Sequence, residues 1–305
     1  MTSAVSVGAF DGLHLGHYQI LRRTLARARE RAGRSVVVSF DPHPDLVLAK
    51  SFQAVAPLTP LPEKRERLAA LGVEFQVLPF TRELAALEPE EFVERHLVRP
   101  YALHALVVGV NFALGRGRSG NVPRLREIGR RFGFEVETVP LLEIGGAPVT
   151  STRTRAALAA GRVDEAARLL GRRYVLGGTV VPGNAIGRTL GVPTANLRLH
   201  EEKFLPAHGI YAVWARIGSE SARRPGAMSI GVRPTFGGQE RTLEVHLIDW
   251  SGDLLGADLE VELVDWIRPE LRFESAEALS VAMREDLAEA RRRLAAAPAE
   301  VPQAG

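Results

Sequence analysis

Residues 4–17 read Ala4-Val-Ser-Val-Gly-Ala-Phe-Asp-Gly-Leu-His-Leu-Gly-His17. The apolar beginning of this stretch predicts a short buried strand, and residues at helical spacing follow it from Ile20 to Ala28. A strand that passes into a helix through a glycine-rich turn is the unit from which parallel α/β sheets are built. Two histidines flank Gly16 at the predicted start of the helix, so this stretch decides the fold and also predicts a site.

The same alternation of strand and helix patterns continues through the first half of the chain. Buried strands are predicted at Val36–Phe40, Val73–Phe80, Ala105–Val110 and Phe134–Val139, with helical patterns between them. This order predicts a parallel, Rossmann-like α/β domain, in which ligands bind beyond the carboxyl ends of the strands. Polar residues that directly follow predicted strands are expected at that edge, and they include His14, His17, His43 and Asn111.

The pattern changes at Tyr174, where strand-like runs follow one another without helices. These runs are Val175–Val181, Ile210–Ile217, Met228–Val232, Thr242–Ile248 and Leu259–Val264. Consecutive strands predict a small antiparallel β-barrel, and a helix is predicted after it at Ala276–Leu294. The predicted domains are therefore 1–171 and 172–295, and the Ala/Pro-rich tail 296–305 is expected to be disordered.

The composition is typical of a soluble globular protein, with 46% hydrophobic and 25% charged residues among 305. The absence of cysteine excludes disulfides, thiolate metal sites and a cysteine nucleophile, and it favours a cytoplasmic protein. No apolar run approaches the length of a bilayer span, and no basic N-terminal region precedes an apolar stretch. We therefore expect neither membrane association nor a signal peptide.

The sequence pI of about 9.6 does not indicate nucleic-acid binding. The formal net charge is only +3, and lysine occupies just positions 50, 64 and 203 among 39 basic residues. Arginine raises the pI through its high pKa without creating a large excess of charge. Since no basic stripe with interleaved aromatic residues is present, no nucleic-acid partner is expected.

The first motif has the chemistry of a phosphate site. A helix N-terminus offers free N–H groups and a partial positive charge, and Gly16 lets the backbone approach a ligand closely. His14 and His17 could donate hydrogen bonds to oxygens on a reacting phosphorus. One alternative is a simple turn with a capping histidine and a packed one. Another is a zinc site formed with His43.

Three further segments of the first half carry weaker signals. His43 lies between two prolines, which predicts a rigid loop or a plain turn. The stretch Gly115–Gly120 matches G-x-G-x-x-G, but it lies several residues after its strand, so it is not interpreted as a dinucleotide-binding turn. We interpret it instead as a cationic loop over an anionic ligand, or as a basic loop exposed to solvent. Ser151, Thr152 and Arg155 lie at the start of another predicted helix. The hydroxyls could simply cap this helix, or Arg155 could contact the phosphates of ATP.

The second motif lies in the strand-rich half. Gly183, Gly187 and Gly191 keep a loop open, and Thr194 and Asn196 then place a hydroxyl and an amide on one side of a strand, where they could share Mg²⁺ and phosphate oxygens. Glu244 faces away from the apolar residues that alternate with it and could accept a proton from an attacking hydroxyl. The alternative is a solvent-facing glutamate. Arg268 and Glu270 are substrate contacts or a surface ion pair.

At these residues the chain resembles the bacterial bifunctional riboflavin kinase/FAD synthetase family. The resemblance runs from about Val5 to Leu294, and the segments Phe10–His17 and Arg188–Asn196 carry it. It implies an N-terminal nucleotidylyltransferase domain and a C-terminal flavokinase barrel. The kinase would make FMN and ADP from riboflavin and MgATP. The transferase would join FMN to the AMP part of a second ATP, giving FAD and pyrophosphate.

The resemblance also implies a role for each matching residue. In the first domain, His14 and His17 would stabilise the transition state. The implied ATP-binding residues there are Gly8, Phe10, Asp11, Gly16, His43, Asn111, Ser151, Thr152 and Arg155. In the kinase, Glu244 would be the base, and Thr194 and Asn196 would hold Mg²⁺. The implied ATP- and flavin-binding residues of the kinase are Gly183, Gly187, Arg188, Thr194, Asn196, Arg268, Glu270 and Phe273.

Besides Leu13 and Thr150, four residues depart from the family pattern without removing a proposed catalytic group. They are Leu114, Ser229, Trp250 and Leu255, and Leu114 in place of an aromatic residue is expected to loosen ring stacking. Two other functions stay open: an enzyme with one inactive half, and a regulator that binds flavin or nucleotide without turnover. The sequence makes no prediction of oligomeric state.

Overall fold

A computed structural model describes residues 1–48, 56–183, 191–235, 238–299 and 301. Contacts within the chain divide it into two compact units, Met1–Thr150 and Ser151–Gly305. Each unit is built around its own elements. No helix in the described ranges combines the length and the apolar character needed to cross a membrane.

The first unit is a five-stranded parallel sheet with helices in its crossovers. Its strands are β1 (Ser3–Val7), β2 (Arg34–Asp41), β3 (Glu74–Pro79), β4 (Leu103–Gly109), the short pair β5 (Ala113–Leu114) and β6 (Gly120–Asn121), β7 (Glu135–Val139), and the short pair β8 (Glu143–Ile144) and β9 (Ala147–Pro148). The sheet order is β3-β2-β1-β4-β7. All four neighbouring pairs are parallel, which confirms the predicted α/β fold.

The helices of the first unit follow the strands in alternation. They are α1 (Leu15–Arg29), α2 (Pro44–Leu48), α3 (Leu61–Ala70), α4 (Arg82–Ala86), α5 (Pro89–Val93), α6 (Arg99–Tyr101) and α7 (Val122–Phe132). A π-helical turn at Glu94–Val98 joins α5 to α6. Asn121 caps α7 by accepting from the backbone N–H of Arg124, and Gly133 ends it in the left-handed conformation.

The order of the strands positions the first site. β1 lies in the centre of the sheet and is completely buried, because its residues pack on both faces. Val5, Val36 and Leu106 share a core with Leu125 on one face. The chain turns outward in opposite directions from β1 and β4, so the switch point lies between them. Ligands of open α/β sheets bind at that point, beyond the carboxyl ends of the strands.

The second unit begins with two helices and continues into a closed barrel. The helices are α8 (Ser151–Ala159) and α9 (Val163–Leu170), and the strands are β10 (Tyr174–Val181), β11 (Ala195–Leu199), β12 (Gly209–Ile217), β13 (Arg224–Thr235), β14 (Gly238–Leu247) and β15 (Asp258–Arg268). Their order around the barrel is β10-β11-β14-β13-β12-β15, and all pairs are antiparallel. This confirms the predicted barrel, with β11 as a sixth strand.

A long helix, α10 (Ala276–Ala296), packs against the barrel and confirms the predicted C-terminal helix. Ala212 and Ala227 of the barrel share a core cluster with Ala290 and Leu294 of the helix. The small alanines let helix and strands approach closely. The barrel and this helix together enclose the second site.

The ends of the second unit are fixed by hydrogen bonds. The backbone N–H of Ala207 donates to the carbonyl of Leu158 at 2.9 Å, which ties α8 to the chain beside the barrel. Arg173 donates to the carbonyls of Pro298 and Ala299, so the described start of the predicted tail is held. Residues 300 and 302–305 lie outside the described part of the chain.

Candidate active sites

The loop after β1 is tightly folded and buried. Phe10 and Leu13 adopt the left-handed region with φ of 47° and 41°, and Gly12 between them has φ of 85°. Non-glycine residues rarely occupy this region, so the surrounding packing must hold them there. Both side chains are almost fully buried, at 3% and 0% exposure. Burial of these two side chains therefore fixes the path of the loop towards His14.

His14 caps α1 with its own side chain. Its Nδ1 accepts a hydrogen bond from the backbone N–H of His17 at 3.3 Å. An accepting Nδ1 carries no proton, so the proton of the neutral ring stands on Nε2. His14 is thus a helix cap, as one alternative predicted.

The rings of the two histidines are stacked on each other. Their centroids lie 3.6 Å apart with 14° between the planes, and the Phe10 ring lies 5.0 Å from that of His17. A side chain at position 16 would crowd this stack. A Cβ at position 16 would lie 3.3 Å from two atoms of the His14 ring and 3.5 Å from the carbonyl of Val149. The structure therefore brings His14, Gly16 and His17 together at the helix start.

Asp11 is buried at 2% exposure and holds a neighbouring segment. Its carboxylate accepts hydrogen bonds from the backbone N–H groups of Leu58 and Thr59 at 3.2 and 3.1 Å. Lys64 of α3 donates to the carbonyl of Ala9 at 2.7 Å. These contacts make Asp11 a support of the loop, whereas its predicted contact with ATP stays a prediction. Gly8 donates its N–H to the carbonyl of Val38.

The residues predicted to follow β2 and β4 lie at the same edge of the sheet as the histidines. His43 accepts at Nδ1 from the backbone N–H of Asp45 at 3.2 Å. Asn111 is exposed, and its carbonyl accepts from Arg118 at 3.3 Å. The Gly115–Gly120 loop packs at its start, where a Cβ at Gly115 would lie 2.9 Å from Pro89, whereas residues 116–119 are exposed. Across the described ranges, no three His, Asp or Glu side chains form a metal-binding cluster.

Ser151, Thr152 and Arg155 belong to the second unit, at the beginning of α8. The guanidinium of Arg155 lies over the ring of Phe204, 5.9 Å from its centroid. Arg153 pairs with Glu165 of α9. The predicted contact of these residues with the nucleotide stays a prediction.

The second motif forms a polar group on the barrel. The hydroxyl of Thr194 donates to Oε2 of Glu244 at 3.1 Å. Asn196 and Glu244 are direct partners in the register of β11 and β14. Thr194, Asn196 and Glu244 are each half-buried, whereas the residues that alternate with them in the two strands are buried. The alternation predicted for Glu244 and for the Thr194–Asn196 pair is therefore present in the structure.

A cavity of about 400 Å³ lies beside this polar group. This size is typical of sites for small molecules. Thr194, Glu244, Arg268, Glu270 and Phe273 are all among the residues that line it, so the cavity brings five predicted residues together. Its remaining wall is largely apolar and comes from the barrel and α10: Val192, Ile210, Ala227, Met228, Val232, Leu271, Leu279, Met283 and Leu287.

Arg268, at the end of β15, forms an ion pair with Asp286. Its Nε and Nη2 donate to the two carboxylate oxygens of Asp286 at 2.7 and 2.6 Å, and its guanidinium lies 5.8 Å from the centre of the Phe273 ring. Asp286 is 7% exposed and lies on α10. The pair therefore fixes the helix to the barrel at the cavity, and its acidic member was not predicted.

Two glycines leave space for the side chains of Asn196 and Glu270. A Cβ at Gly183 would overlap the amide of Asn196, and a Cβ at Gly231 would overlap the carboxylate of Glu270. The absence of a side chain at each position leaves room for these polar groups. Gly187 and Arg188 lie outside the described residues.

Sequence reasoning missed three supports of these sites: Lys64, Asp286 and His246. The Nδ1 of His246 lies 2.7 Å from the carbonyl of Pro193, to which it donates. Lysine is rare in this arginine-rich chain, and that rarity could have drawn attention to Lys64. Asp286 lies 18 residues from Arg268 on another element, and no local pattern marks it.

The residues that depart from the family pattern have separate environments. Leu114 is 8% exposed and belongs to the sheet core. Ser229 lines the cavity and is the register partner of Glu244. Trp250 lies beneath the guanidinium of Arg224, and Leu255 is exposed. Ser229 is therefore the departure closest to the second motif.

The parallel sheet with its histidine-bearing loop and the closed barrel with its cavity define a nucleotidylyltransferase domain followed by a flavokinase domain. Comparison with known families agrees in both halves. An FAD synthetase family model matches residues 1–153, and a riboflavin kinase family model matches residues 170–294. The chain belongs to the bifunctional riboflavin kinase/FAD synthetase family.

Curated relatives called bifunctional riboflavin kinase/FMN adenylyltransferase match this chain along nearly their whole length. The protein of Pseudomonas fluorescens is 40% identical, covering 94% of this chain and 91% of its own. That of Escherichia coli K12 is 37% identical over 92% and 90%. That of Listeria monocytogenes is 35% identical over 94% and 90%.

A solved structure from Streptococcus pneumoniae has the same two-unit fold. It has a TM-score of 0.87 and 31% identity to this chain, covering 95% of this chain and 94% of its own. It is described as a macrolide-efflux protein. That description names an activity of the other protein, whereas both family models and the curated relatives above agree on flavin chemistry.

Proposed function

We propose that this chain converts riboflavin to FMN in its barrel unit and FMN to FAD in its parallel-sheet unit, using ATP in both reactions. The observation that supports it best is the cavity of about 400 Å³ with Glu244 and Thr194 in its wall. It combines a largely apolar lining, suited to a flavin ring, with a carboxylate suited to proton transfer. The presence of both motif sets disfavours the alternatives of one inactive half and of a non-catalytic regulator.

In the proposed kinase reaction, the 5′-hydroxyl of riboflavin attacks the γ-phosphorus of ATP. Glu244 accepts the proton of this hydroxyl, the new P–O bond forms, and the bond to the β-phosphate oxygen breaks to release ADP. Catalysis of phosphoryl transfer depends mainly on positioning and on charge stabilisation. The hydrogen bond from Thr194 orients the Glu244 carboxylate, and the apolar wall orients the flavin ring.

Mg²⁺ is the proposed cofactor of the kinase. The hydroxyl oxygen of Thr194 and the amide oxygen of Asn196 fit it, because Mg²⁺ prefers oxygen ligands and binds through few protein groups plus substrate phosphates. Thr194 uses its proton on Glu244, so its lone pairs stay available. When bound, the ion would neutralise charge on the ATP phosphates.

In the proposed transferase reaction, a phosphate oxygen of FMN attacks the α-phosphorus of ATP and pyrophosphate leaves. The attacking oxygen is already anionic, so no general base is required. His14, through Nε2–H, and His17 would donate to the oxygens where negative charge develops. The remaining predicted ATP contacts of the first unit, Gly8, Phe10, Asp11, Gly16, His43 and Asn111, would hold the nucleotide in its ground state.

We also propose 1–171 and 172–295 as domains that fold independently, in a cytoplasmic protein where ATP is available. The hydrogen bond between Ala207 and Leu158 joins α8 to the chain beside the barrel. A barrel fragment that includes α8 should therefore be more stable than one that begins at residue 172. Comparing the urea unfolding of fragments 151–305 and 172–305 tests this boundary. A fragment 172–305 that is molten while the full chain is folded would contradict the proposed domains.

The direct test is incubation of the purified chain with riboflavin and MgATP, with separation of the products by chromatography. We expect FMN to appear first and FAD to follow. Formation of neither product would contradict the proposed function. FMN without FAD would support the alternative of a single active half.

A further inference from the structure

Lysine is rare in this chain, and the described lysines are buried. Only positions 50, 64 and 203 carry lysine, among 39 basic residues. Lys64 is 5% exposed and Lys203 is 7% exposed. Buried ammonium groups are costly unless they are hydrogen-bonded or paired, so a position needed only for packing would suit an apolar side chain better. The ammonium of Lys64 therefore calls for a specific use.

The contacts of Lys64 point to the segment 8–17, which we call the histidine loop. Its Nζ donates to the carbonyl of Ala9 at 2.7 Å, and the hydroxyl of Ser39 donates to the same oxygen at 3.2 Å. Burial lowers the pKa of the Lys64 ammonium, whereas the nearby carboxylates Asp11 and Asp41 act in the opposite direction. The position thus combines a buried donor with acidic neighbours.

The histidine loop is bound to the same neighbouring segment through a second residue. Asp11 accepts from the backbone N–H groups of Leu58 and Thr59, just before α3, and Lys64 lies in the first turns of α3. Hydrogen bonds therefore fix residues 9 and 11, on either side of Phe10 with its φ of 47°. A backbone in this unusual conformation needs such support on both sides.

We propose that Lys64 is a positioning residue for adenylyl transfer, which sets the path of the histidine loop and thereby the places of His14 and His17. The inference rests on the proposed function of the first unit. Lys64 itself is too deeply buried to act on the nucleotide, so its effect passes through the carbonyl of Ala9. Its loss should lower kcat for FAD formation more than it changes the KM for ATP.

The absence of cysteine from this chain permits a precise rescue experiment. Lys64→Cys removes the ammonium, and alkylation of the unfolded variant with 2-bromoethylamine restores an ammonium at the same side-chain length on that residue alone. We expect Lys64→Cys to lower kcat of FMN adenylylation by roughly 10²-fold, the order seen when a reacting group is displaced by about 1 Å. Aminoethylation and refolding should restore most of this loss.

Three matched samples complete the design. Lys203→Cys, aminoethylated and refolded in the same way, should keep wild-type adenylylation, because Lys203 packs over the Tyr174 ring in the other unit. Wild-type chain carried through the same procedure corrects for refolding. Lys64→Met keeps a side chain of similar length if the cysteine variant does not fold. Circular dichroism and thermal unfolding confirm that each sample is folded at the assay temperature.

The outcomes separate the inference from the proposed function. A folded Lys64→Cys or Lys64→Met variant with wild-type kcat overturns the positioning role. So does an aminoethylated variant that regains its fold but not its kcat. Wild-type chain that forms no FAD from FMN and MgATP would instead refute the proposed function.

Discussion

The hydroxyl of Thr194 donates a hydrogen bond to Oε2 of Glu244 at 3.1 Å, across 50 residues of sequence. The register of β11 and β14 explains the contact, because it pairs Asn196 directly with Glu244. The bond orients the carboxylate and leaves the lone pairs of the hydroxyl for a cation. One hydrogen bond thus joins the proposed proton acceptor to the proposed metal ligand.

Glu244→Gln should abolish most FMN formation while the conversion of FMN to FAD persists. Glutamine keeps the shape of the side chain but cannot accept a proton from the riboflavin hydroxyl. Removal of a general base typically lowers the rate by about 10²–10⁴-fold. Steady-state kinetics of each reaction separately provides the measurement, with adenylylation as the internal control. Riboflavin phosphorylation at the wild-type rate would show that Glu244 is not the base.

His246→Leu should lower kcat of the kinase, and His246→Asn should retain most of it. His246 donates from Nδ1 to the carbonyl of Pro193, the residue before Thr194, and an asparagine amide can replace that donor. One lost hydrogen bond contributes about 0.5–1.5 kcal/mol, so we expect roughly a two- to tenfold loss. Equal rates for the two variants would show that this bond does not position Thr194.

Asp286→Ala should destabilise the barrel unit by about 3 kcal/mol, because it leaves the Arg268 guanidinium without its partner. The two side chains are 10% and 21% exposed, so water replaces the lost partner only in part. All three tryptophans of the chain, Trp214, Trp250 and Trp266, lie in this unit. Urea unfolding followed by tryptophan fluorescence therefore reports on it directly.

The control for this ion pair is the double variant Arg268→Leu with Asp286→Leu. Replacement of a buried pair by apolar residues is often neutral or stabilising, so the double variant should unfold at a higher urea concentration than Asp286→Ala. A double variant less stable than the single one would assign the stability to packing around Arg268.

His17→Ala should sharply reduce FAD synthesis and leave ATP binding to that unit largely intact. A group that donates to charge developing on phosphorus acts mainly in the transition state, so the loss falls on kcat, by about 10²–10³-fold. Titration calorimetry with a non-hydrolysable ATP analogue separates binding from catalysis. A large loss of affinity with unchanged kcat would make His17 a ground-state binding residue.

Local patterns in the sequence predicted most of the fold. Strands such as β2 and β4 are continuous apolar runs, and such runs define buried parallel strands wherever they occur. The short strand β11 was missed because the polar residues of Pro193–Asn196 serve the site and interrupt its apolar alternation. The ends of β13 were missed for a similar reason, since Pro225 and Gly226 lower its strand propensity while the barrel still pairs them.

The sequence placed candidate site residues together where chemistry and local spacing coincide, as at His14, Gly16 and His17. Their supports were not predicted, because they depend on contacts between distant elements. Asp286 reaches Arg268 from another element, and Lys64 reaches Ala9 across 55 residues. Asp11 shows the converse: its motif suggested a nucleotide ligand, whereas its visible hydrogen bonds are to Leu58 and Thr59.

The central claim is that one chain carries two separate active sites with FMN as the product of one and the substrate of the other. The most direct test is FAD formation from riboflavin and MgATP by an equimolar mixture of the Glu244→Gln and His17→Ala variants. Each variant alone should make little FAD from riboflavin, and the mixture should make it readily, because FMN released by one variant is used by the other. A mixture that accumulates neither FMN nor FAD while the wild-type chain forms FAD would contradict two independent sites.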